Sequence, residues 1–222
     1  MEELEPAAPS ERTRVRRLPR RAAYDRATID AILDEALICH LAFAAGDQPF
    51  AIPTAHARIG DHVYVHGSTA SRTLRASAGA PVCLTVTLID GIVLARSAFH
   101  HSMNYRSVVV LGRAEEVRGD EERLAAMRAL VDKVSPGRWS EIRPPNGQEL
   151  KATTILRLSL AEASAKIRSG PPKDDEEDYA LPHWAGVLPL RLVAGEPVAD
   201  PRLPAATALP ASVRSYARPR LG

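Results

Sequence analysis

Apolar and polar positions alternate in a series of short segments, and this pattern predicts a chain built mainly of β-strands. Six or seven such segments are separated by turn residues, and only three stretches show the apolar spacing of a helix. Too few helices lie between the strands for a parallel, doubly wound sheet. The pattern therefore favours a mainly β fold with helices, in which a closed or nearly closed antiparallel barrel has helices over its openings. The predicted strands are 38–45, 49–59, 62–66, 81–89, 92–95, 105–117 and 153–160, and the predicted helices are 28–37, 71–79 and 120–134.

Four local signals refine this outline. Thr28 is predicted to cap the first helix. Pro53 cannot donate a ladder hydrogen bond, so its strand is expected to lie at an edge or to be bulged there. Asp90-Gly91 has the composition of a two-residue hairpin turn, and Gly112 indicates a bulge or bend in a long strand.

Composition adds few constraints. A length of 222 residues suits one domain of about 150 residues with extensions. The formal net charge of +2 favours no class of partner. Cys39 and Cys83 lie in apolar runs and are interpreted as reduced thiols. No segment is long and apolar enough to span a membrane, and no signal sequence is evident, so we expect a cytoplasmic protein without a membrane partner.

The two ends of the chain differ from its centre. Residues 1–21 form a polar, basic segment, interpreted as a flexible arm; six arginines there raise the alternative of a nucleic-acid arm, but nucleic acid is not the expected partner. Residues 22–168 hold the predicted strands and helices. Residues 169–222 are interpreted as an extension that packs on the barrel or on a dimer partner. The extension contains an acidic run at 174–178, predicted to be a solvated loop, and an apolar segment at 181–190.

The most informative stretch is 62–75, where a strand ends and a helix begins. Ser68 and Ser71 are hydroxyl donors at the predicted helix start, and Arg72 and Arg75 follow in the first turns. Hydroxyls and a guanidinium beside free backbone N–H groups suit a phosphate dianion. The alternative is a capped surface helix whose arginines face water.

Other chemistry is not indicated. No nucleophile elbow, no phosphate-binding loop with a lysine and no Cys-x-x-Cys pair occurs. Five histidines lie between residues 56 and 101, but none has neighbouring ligands at metal-site spacing, so no metal centre is predicted. These histidines are His56, His62, His66, His100 and His101.

The order of these elements resembles the pyridoxamine 5′-phosphate oxidase-like FMN-binding split-barrel superfamily, and within it the nitroimidazole-resistance (Nim-type) branch. The resemblance rests on the Pro-containing strand, on Ser-x-x-Ser-Arg at 68–72 and on Asn-Tyr-Arg-Ser-Val-Val-Val-Leu-Gly-Arg-Ala-Glu at 104–115. It covers residues 22–168. It implies a six-stranded antiparallel split barrel that forms a homodimer, with FMN in the groove at the subunit interface.

The resemblance also implies roles for individual residues. Ser71 and Arg72 correspond to the motif that holds the FMN phosphate, with Ser68 assisting. Thr54 lies on the strand that lines the flavin ring, and Val65 and His66 occupy positions that contact the cofactor. Ser107 stands where the oxidases have a glutamine that contacts FMN. Arg191, Arg202 and Arg214 offer no secure counterpart of the oxidases' substrate-phosphate arginine, which argues against pyridoxamine phosphate as substrate.

The leading hypothesis is an FMN-dependent oxidoreductase that transfers electrons or hydride to a small molecule such as a nitroaromatic or a quinone. His66 is the candidate catalytic residue, because a histidine exchanges protons near neutral pH; its alternative is a strand-end histidine bonded to the backbone. Two other hypotheses remain: a flavin-binding sensor or regulator without turnover, and the same barrel holding deazaflavin or haem, with His66, His100 or His101 as haem ligand. For the homodimer, Trp184 is the predicted anchor on the partner.

Overall fold

The computed structural model describes residues 7–204 and 206–216, which form ten strands, five α-helices and several short 3₁₀ turns. The strands are β1 (Ala22–Ala23), β2 (Ile38–Ala45), β3 (Gln48–Ile59), β4 (His62–Ser68), β5 (Pro81–Leu94), β6 (Ser102–Arg113), β7 (Glu115–Glu116), β8 (Thr153–Ser159), β9 (Ala163–Arg168) and β10 (Gly186–Pro189). The helices are α1 (Arg26–Glu35), α2 (Arg72–Ser77), α3 (Asp120–Val134), α4 (Gly147–Lys151) and α5 (Ala211–Arg214).

The strands form a mainly antiparallel sheet in the order β1-β9-β6-β5-β2-β3-β4-β8-β7, and β10 is added on β5. Strand β3 belongs to both halves, since residues 48–55 pair with β2 and residues 56–59 pair with β4. The sheet does not close, although β6 and β8 approach each other: a Cβ on Gly112 would lie 2.7 Å from Leu158 Cδ1. The predicted split-barrel fold class is confirmed, with ten strands where six were expected.

The core fills the barrel and is capped by α1. Ile29, Ile32 and Leu33 of α1 are buried against inward-facing residues of β2, β4, β5 and β6. A second, smaller cluster lies between the outer face of β4 and α3, where Tyr64 packs with Ala126. Strand β4 is therefore covered on both faces, and this fixes its position firmly.

The structure corrects two of the local predictions. Asp25, and not Thr28, caps α1, because its carboxylate accepts a hydrogen bond from the Thr28 amide at 2.8 Å. Asp90-Gly91 does not form a hairpin: β5 continues through it with only a register shift against β6. The Asp90 carboxylate is held by Arg106, and Gly91 leaves room for β10, since a Cβ there would lie 3.1 Å from the Leu188 carbonyl oxygen.

The prediction for Pro53 is confirmed. Pro53 pairs with His40 on β2, but pairing of β3 with β4 begins only at His56. At Pro53, strand β3 therefore has a ladder partner on one side only, as an edge strand does, and a proline is tolerated in that position.

The segments before and after the barrel both lie against it. Arg12 pairs with Glu162, and the Val15 amide donates to the Tyr24 hydroxyl at 2.9 Å. Strand β10 pairs with residues 91–94 of β5. Residues 1–6, which begin the predicted basic arm, and residues 205 and 217–222 of the extension lie outside the described residues.

The acidic run is not uniformly solvated as predicted. The Asp174 side chain is fully buried, accepts a hydrogen bond from the Arg96 amide at 3.0 Å and pairs with the Arg96 guanidinium at 2.9 Å. Neutralisation by Arg96 lets this carboxylate leave water, a contact that the local sequence does not indicate because the two residues are 78 positions apart.

His56 is a fully buried histidine that makes stability depend on pH. Its Nε2 lies 3.0 Å from the Leu33 carbonyl oxygen at the end of α1. Burial, reinforced by the positive charge of Lys133, lowers the pKa of His56 to about 4. The folded state therefore keeps this imidazole neutral under conditions in which the unfolded chain takes up a proton.

We expect wild-type protein to lose about 2 kcal/mol of unfolding free energy through His56 between about pH 7.5 and about pH 5. The loss begins as pH falls below the unfolded pKa near 6.5 and continues to the folded pKa of about 4, because only the unfolded state is protonated in that window. Urea unfolding of wild type and His56→Gln across this range measures it. Exposed His101→Gln is the matched control, and an unchanged pH slope in His56→Gln would refute the assignment.

Among the described residues, no helix has both the length and the apolar character needed to cross a membrane.

Candidate functional site

The candidate site lies where β4 passes into α2. Val63 and Val65 point into the barrel core, so His66 must lie on the opposite face of β4 with Tyr64. Strand β4 pairs with β3 on one side and with β8 on the other, up to Ser68 opposite Thr153. The loop that follows is therefore held by two neighbouring strands.

Hydroxyl groups shape the turn itself. Ser68 Oγ accepts a hydrogen bond from the Ala70 amide at 3.1 Å, and the Ser71 amide donates to the Ser68 carbonyl at 2.8 Å. Ser71 caps α2, since its Oγ accepts from the Leu74 amide at 3.4 Å. The Thr69 amide donates to the Ala152 carbonyl at 3.0 Å. As acceptors from these amides, the two serine hydroxyls keep their own hydrogens available for a ligand.

Arg72 is oriented by an aromatic stack. Its guanidinium carbon lies 4.7 Å from the centroid of the Phe50 ring, and Phe50 is stacked on the buried Phe43 at a centroid distance of 5.3 Å. A guanidinium that lies over an aromatic face loses side-chain freedom but keeps its N–H groups free to donate. The contact with Phe50 thus restricts the orientation of the Arg72 guanidinium and leaves its N–H groups able to bind an anion.

The positive charge at this turn is not neutralised within the described part of the chain. Arg72 and Arg75 are exposed, and no described aspartate or glutamate pairs with either guanidinium. By contrast, most arginines elsewhere on the barrel form ion pairs. The turn therefore combines two available cationic groups with serine hydroxyls, an arrangement suited to a phosphate group.

His66 stands at the end of β4, next to this turn. Its side chain reaches solvent, yet neighbouring protein atoms lower the pKa of the imidazole through desolvation. A neutral imidazole offers one nitrogen lone pair, which can accept a proton or ligate a metal.

The remaining sequence-predicted residues are distributed differently. Val65 is buried in the core, which leaves only backbone atoms to contact a ligand, and Thr54 lies half-buried on β3 opposite Cys39. Ser107 lies on β6, and along the sheet β5, β2 and β3 separate that strand from β4. Its hydroxyl donates to the Lys166 carbonyl at 3.2 Å.

Sequence reasoning missed Phe50. An aromatic residue two positions after the Gly-Asp-Gln turn, near the start of the Pro-containing strand, was the available signal. Its importance comes from the contact with Arg72, 22 positions further along the chain, which no local pattern reveals.

A cavity of about 700 Å³ lies elsewhere, under the N-terminal segment. Arg14, Arg16 and Arg20 line it together with Tyr24. None of the sequence-predicted site residues contributes to its wall, so cavity size alone does not indicate the candidate site.

Two solved structures resemble this chain over most of its length. The flavocytochrome Anf3 from Azotobacter vinelandii is 45% identical, with a TM-score of 0.90, and the match covers 98% of this chain and 100% of that one. The FAD and haem binding protein from Mycobacterium smegmatis is 39% identical, with a TM-score of 0.84, over 87% of this chain and 96% of that one.

A more distant structure supports the fold alone. A candidate 5-nitroimidazole antibiotic resistance protein from Bacteroides thetaiotaomicron is 17% identical, with a TM-score of 0.55, and the match covers 66% of this chain and 86% of that one. No curated protein matches the chain.

The family model described as pyridoxamine 5′-phosphate oxidase matches residues 25–167, which run from the cap of α1 to the end of the barrel and include the whole β4–α2 turn. Together with the split-barrel topology and the two extensive structural matches, this match shows that the chain belongs to the pyridoxamine 5′-phosphate oxidase family.

Proposed function

We propose that this protein is a flavin-binding redox protein of the flavocytochrome type, which transfers electrons to or from a small molecule. The observation that carries the proposal is the β4–α2 turn, which holds the hydroxyls of Ser68 and Ser71 and, on the first residue of α2, the available guanidinium of Arg72. The names of the two extensive structural matches described above, a flavocytochrome and an FAD and haem binding protein, support the same function.

The flavin phosphate would bind at this turn. Arg72 supplies two parallel N–H donors, the serine hydroxyls supply further donors, and the Phe50 ring keeps the guanidinium in place. The half-buried face of β3 that carries Thr54 would border the ring system. FMN and FAD both have a phosphate next to the ribityl chain, so the turn recognises a group that the two cofactors share; FMN was expected from the sequence, and FAD is named for the relative.

His66 would act beside the bound flavin. A flavin supplies hydride and electron transfer when bound, while the protein holds it and manages protons. Since desolvation lowers the pKa of His66, its imidazole is kept neutral and able to accept a proton from, or return one to, a reacting group.

Haem is part of the proposed cofactor set because one extensive match is named a flavocytochrome and the other an FAD and haem binding protein. A neutral imidazole is a suitable axial ligand for haem iron, and His66 is an exposed histidine at the end of β4. Ligation by His66 and proton transfer by His66 are alternative roles, and the absorption spectrum of the His66→Ala variant separates them.

A two-fold homodimer would complete the flavin site. Within one chain the turn and Ser107 lie in different parts of the sheet, and a second copy would bring a β6 strand to the open side of the turn. Apolar side chains are available for such an interface: Phe99 is 89% exposed and Trp184 is 70% exposed.

The deciding experiment is identification of the cofactors in protein purified without a tag. We expect flavin absorption and a haem Soret band, and mass spectrometry of the released flavin identifies it as FMN or FAD. Protein that is colourless and takes up neither FMN nor FAD on titration would overturn the proposed function. Sedimentation at micromolar concentration tests the dimer, and a monomer there would remove that part.

A further inference from the structure

Three potential metal ligands meet at the base of the C-terminal extension. His100 ends the 3₁₀ turn Ala98–His100 that follows β5, and Asp175 and Asp178 lie at the start of the 3₁₀ helix Glu176–Ala180. One imidazole nitrogen and one carboxylate oxygen from each aspartate lie within 4.8 Å of one another. Two chain segments more than 70 residues apart therefore bring a mixed nitrogen and oxygen ligand set together.

The imidazole of His100 has an unused nitrogen in this cluster. Nε2 has no contact with solvent and makes no hydrogen bond within the described chain, although Asp175 Oδ2 lies only 3.2 Å away. A buried polar atom without a partner costs free energy, so its position beside two carboxylates needs an explanation. A cation that accepts the nitrogen lone pair supplies one.

The ligands are held by a rigid surround. Buried Asp174, which directly precedes Asp175, is bound by the side chain and the amide of Arg96. The Arg96 guanidinium also lies 4.9 Å from the Tyr179 ring centroid, next to Asp178. The Phe99 ring packs edge-on against His100 at 5.1 Å. Arg96 thus fixes both segments, and a metal would bind a site that is already formed.

The negative charge of the cluster is not balanced by an arginine or lysine. Among the described residues, Asp175 has only His100 within ion-pair distance, and Asp178 has no ion-pair partner. Arg96, whose guanidinium lies over the neighbouring Tyr179 ring, is already engaged by Asp174. Two carboxylates beside one imidazole favour a divalent cation, and the imidazole favours a transition metal over Mg²⁺.

We propose that His100, Asp175 and Asp178 form a binding site for one divalent transition-metal ion, with Zn²⁺ as the probe. Three protein ligands leave a coordination position for water or another ligand. The site joins the end of β5 to the extension that carries β10, so the bound ion would also fasten this extension to the barrel.

The test is titration of untagged, EDTA-stripped full-length protein with Zn²⁺, followed by calorimetry and by measurement of the metal retained after dialysis. We expect one saturable site per chain and a rise in melting temperature with zinc. Asp178→Asn and His100→Ala should each weaken this site at least about tenfold, since even outer-sphere partners of metal ligands contribute this much. Glu176→Gln and Glu177→Gln remove the same charge from the same 3₁₀ helix and are expected to leave the affinity unchanged.

Three outcomes would overturn the proposal. No saturable zinc binding excludes the site, and equal weakening by Glu177→Gln and Asp178→Asn reduces it to non-specific attraction by acidic residues. Loss of the haem Soret band in His100→Ala would assign this histidine to haem. Zinc binding by haem-free protein with an unchanged flavin spectrum would show that the metal site is independent of the proposed redox function. That function is tested separately, by identification of the bound flavin and haem.

Discussion

Replacement of Arg72 by alanine is expected to weaken flavin binding by about 100-fold. Hydrogen bonds to charged groups contribute about 1.5–3 kcal/mol each, and the variant loses both the guanidinium donors and the charge beside the phosphate. Arg72 is exposed and makes no described ion pair, so the fold is not expected to change. Titration of apoprotein with FMN and with FAD, followed by flavin fluorescence, measures the dissociation constants.

Two further variants separate geometry from charge. Arg72→Lys keeps the charge but loses the paired donors and the stacking on Phe50, and we expect a loss of about tenfold. Arg118→Ala removes another exposed arginine from the same protein and is expected to leave the affinity unchanged. Wild-type affinity in Arg72→Ala would show that the phosphate is bound elsewhere.

The local parts of this site could be predicted from the sequence. A strand that ends in Gly67-Ser68 and is followed by Ser71-Arg72 indicates a capped helix start, and Ser71 is the cap. Such features depend on residues within one turn of one another, and side-chain chemistry determines them. The alternation of Val63, Tyr64 and Val65 likewise predicted a strand, although it did not show that both faces would be covered.

The parts that could not be predicted depend on distant contacts. Asp90-Gly91 has the composition of a hairpin turn, but Arg106 binds the aspartate and β10 packs against the glycine, so β5 continues. The Asp174 side chain was expected to lie in solvent, but its ion pair with Arg96 allows it to be buried. Tertiary contacts override local propensity in both cases. For the same reason the orientation of Arg72 by Phe50 became visible only once the strands were in place.

Among the arginines of the barrel, Arg106 is expected to cause the largest loss in free energy of unfolding when it is replaced. It forms two forked ion pairs: Nη1 and Nη2 lie 2.5 and 2.9 Å from the carboxylate oxygens of Glu35, and Nε and Nη2 lie 3.0 and 2.7 Å from those of Asp90. These hydrogen bonds raise the pKa of Arg106 further above its usual range. The guanidinium thus ties the end of α1 to the register shift in β5.

Arg106→Leu is expected to lower the free energy of unfolding by about 3 kcal/mol, because two partly buried carboxylates lose the guanidinium that they share. The Arg106 and Glu35 side chains are only 16% and 14% exposed, so water compensates little. Urea unfolding measures the change. Arg113→Leu, on the same strand, removes an exposed guanidinium whose one hydrogen bond within the described residues is to the Gly79 carbonyl, and it should cost less than about 1 kcal/mol. Addition of Glu35→Gln and Asp90→Asn to Arg106→Leu should recover part of the loss, since the two negative charges that the guanidinium neutralised are then removed. Equal costs for Arg106→Leu and Arg113→Leu would contradict this account.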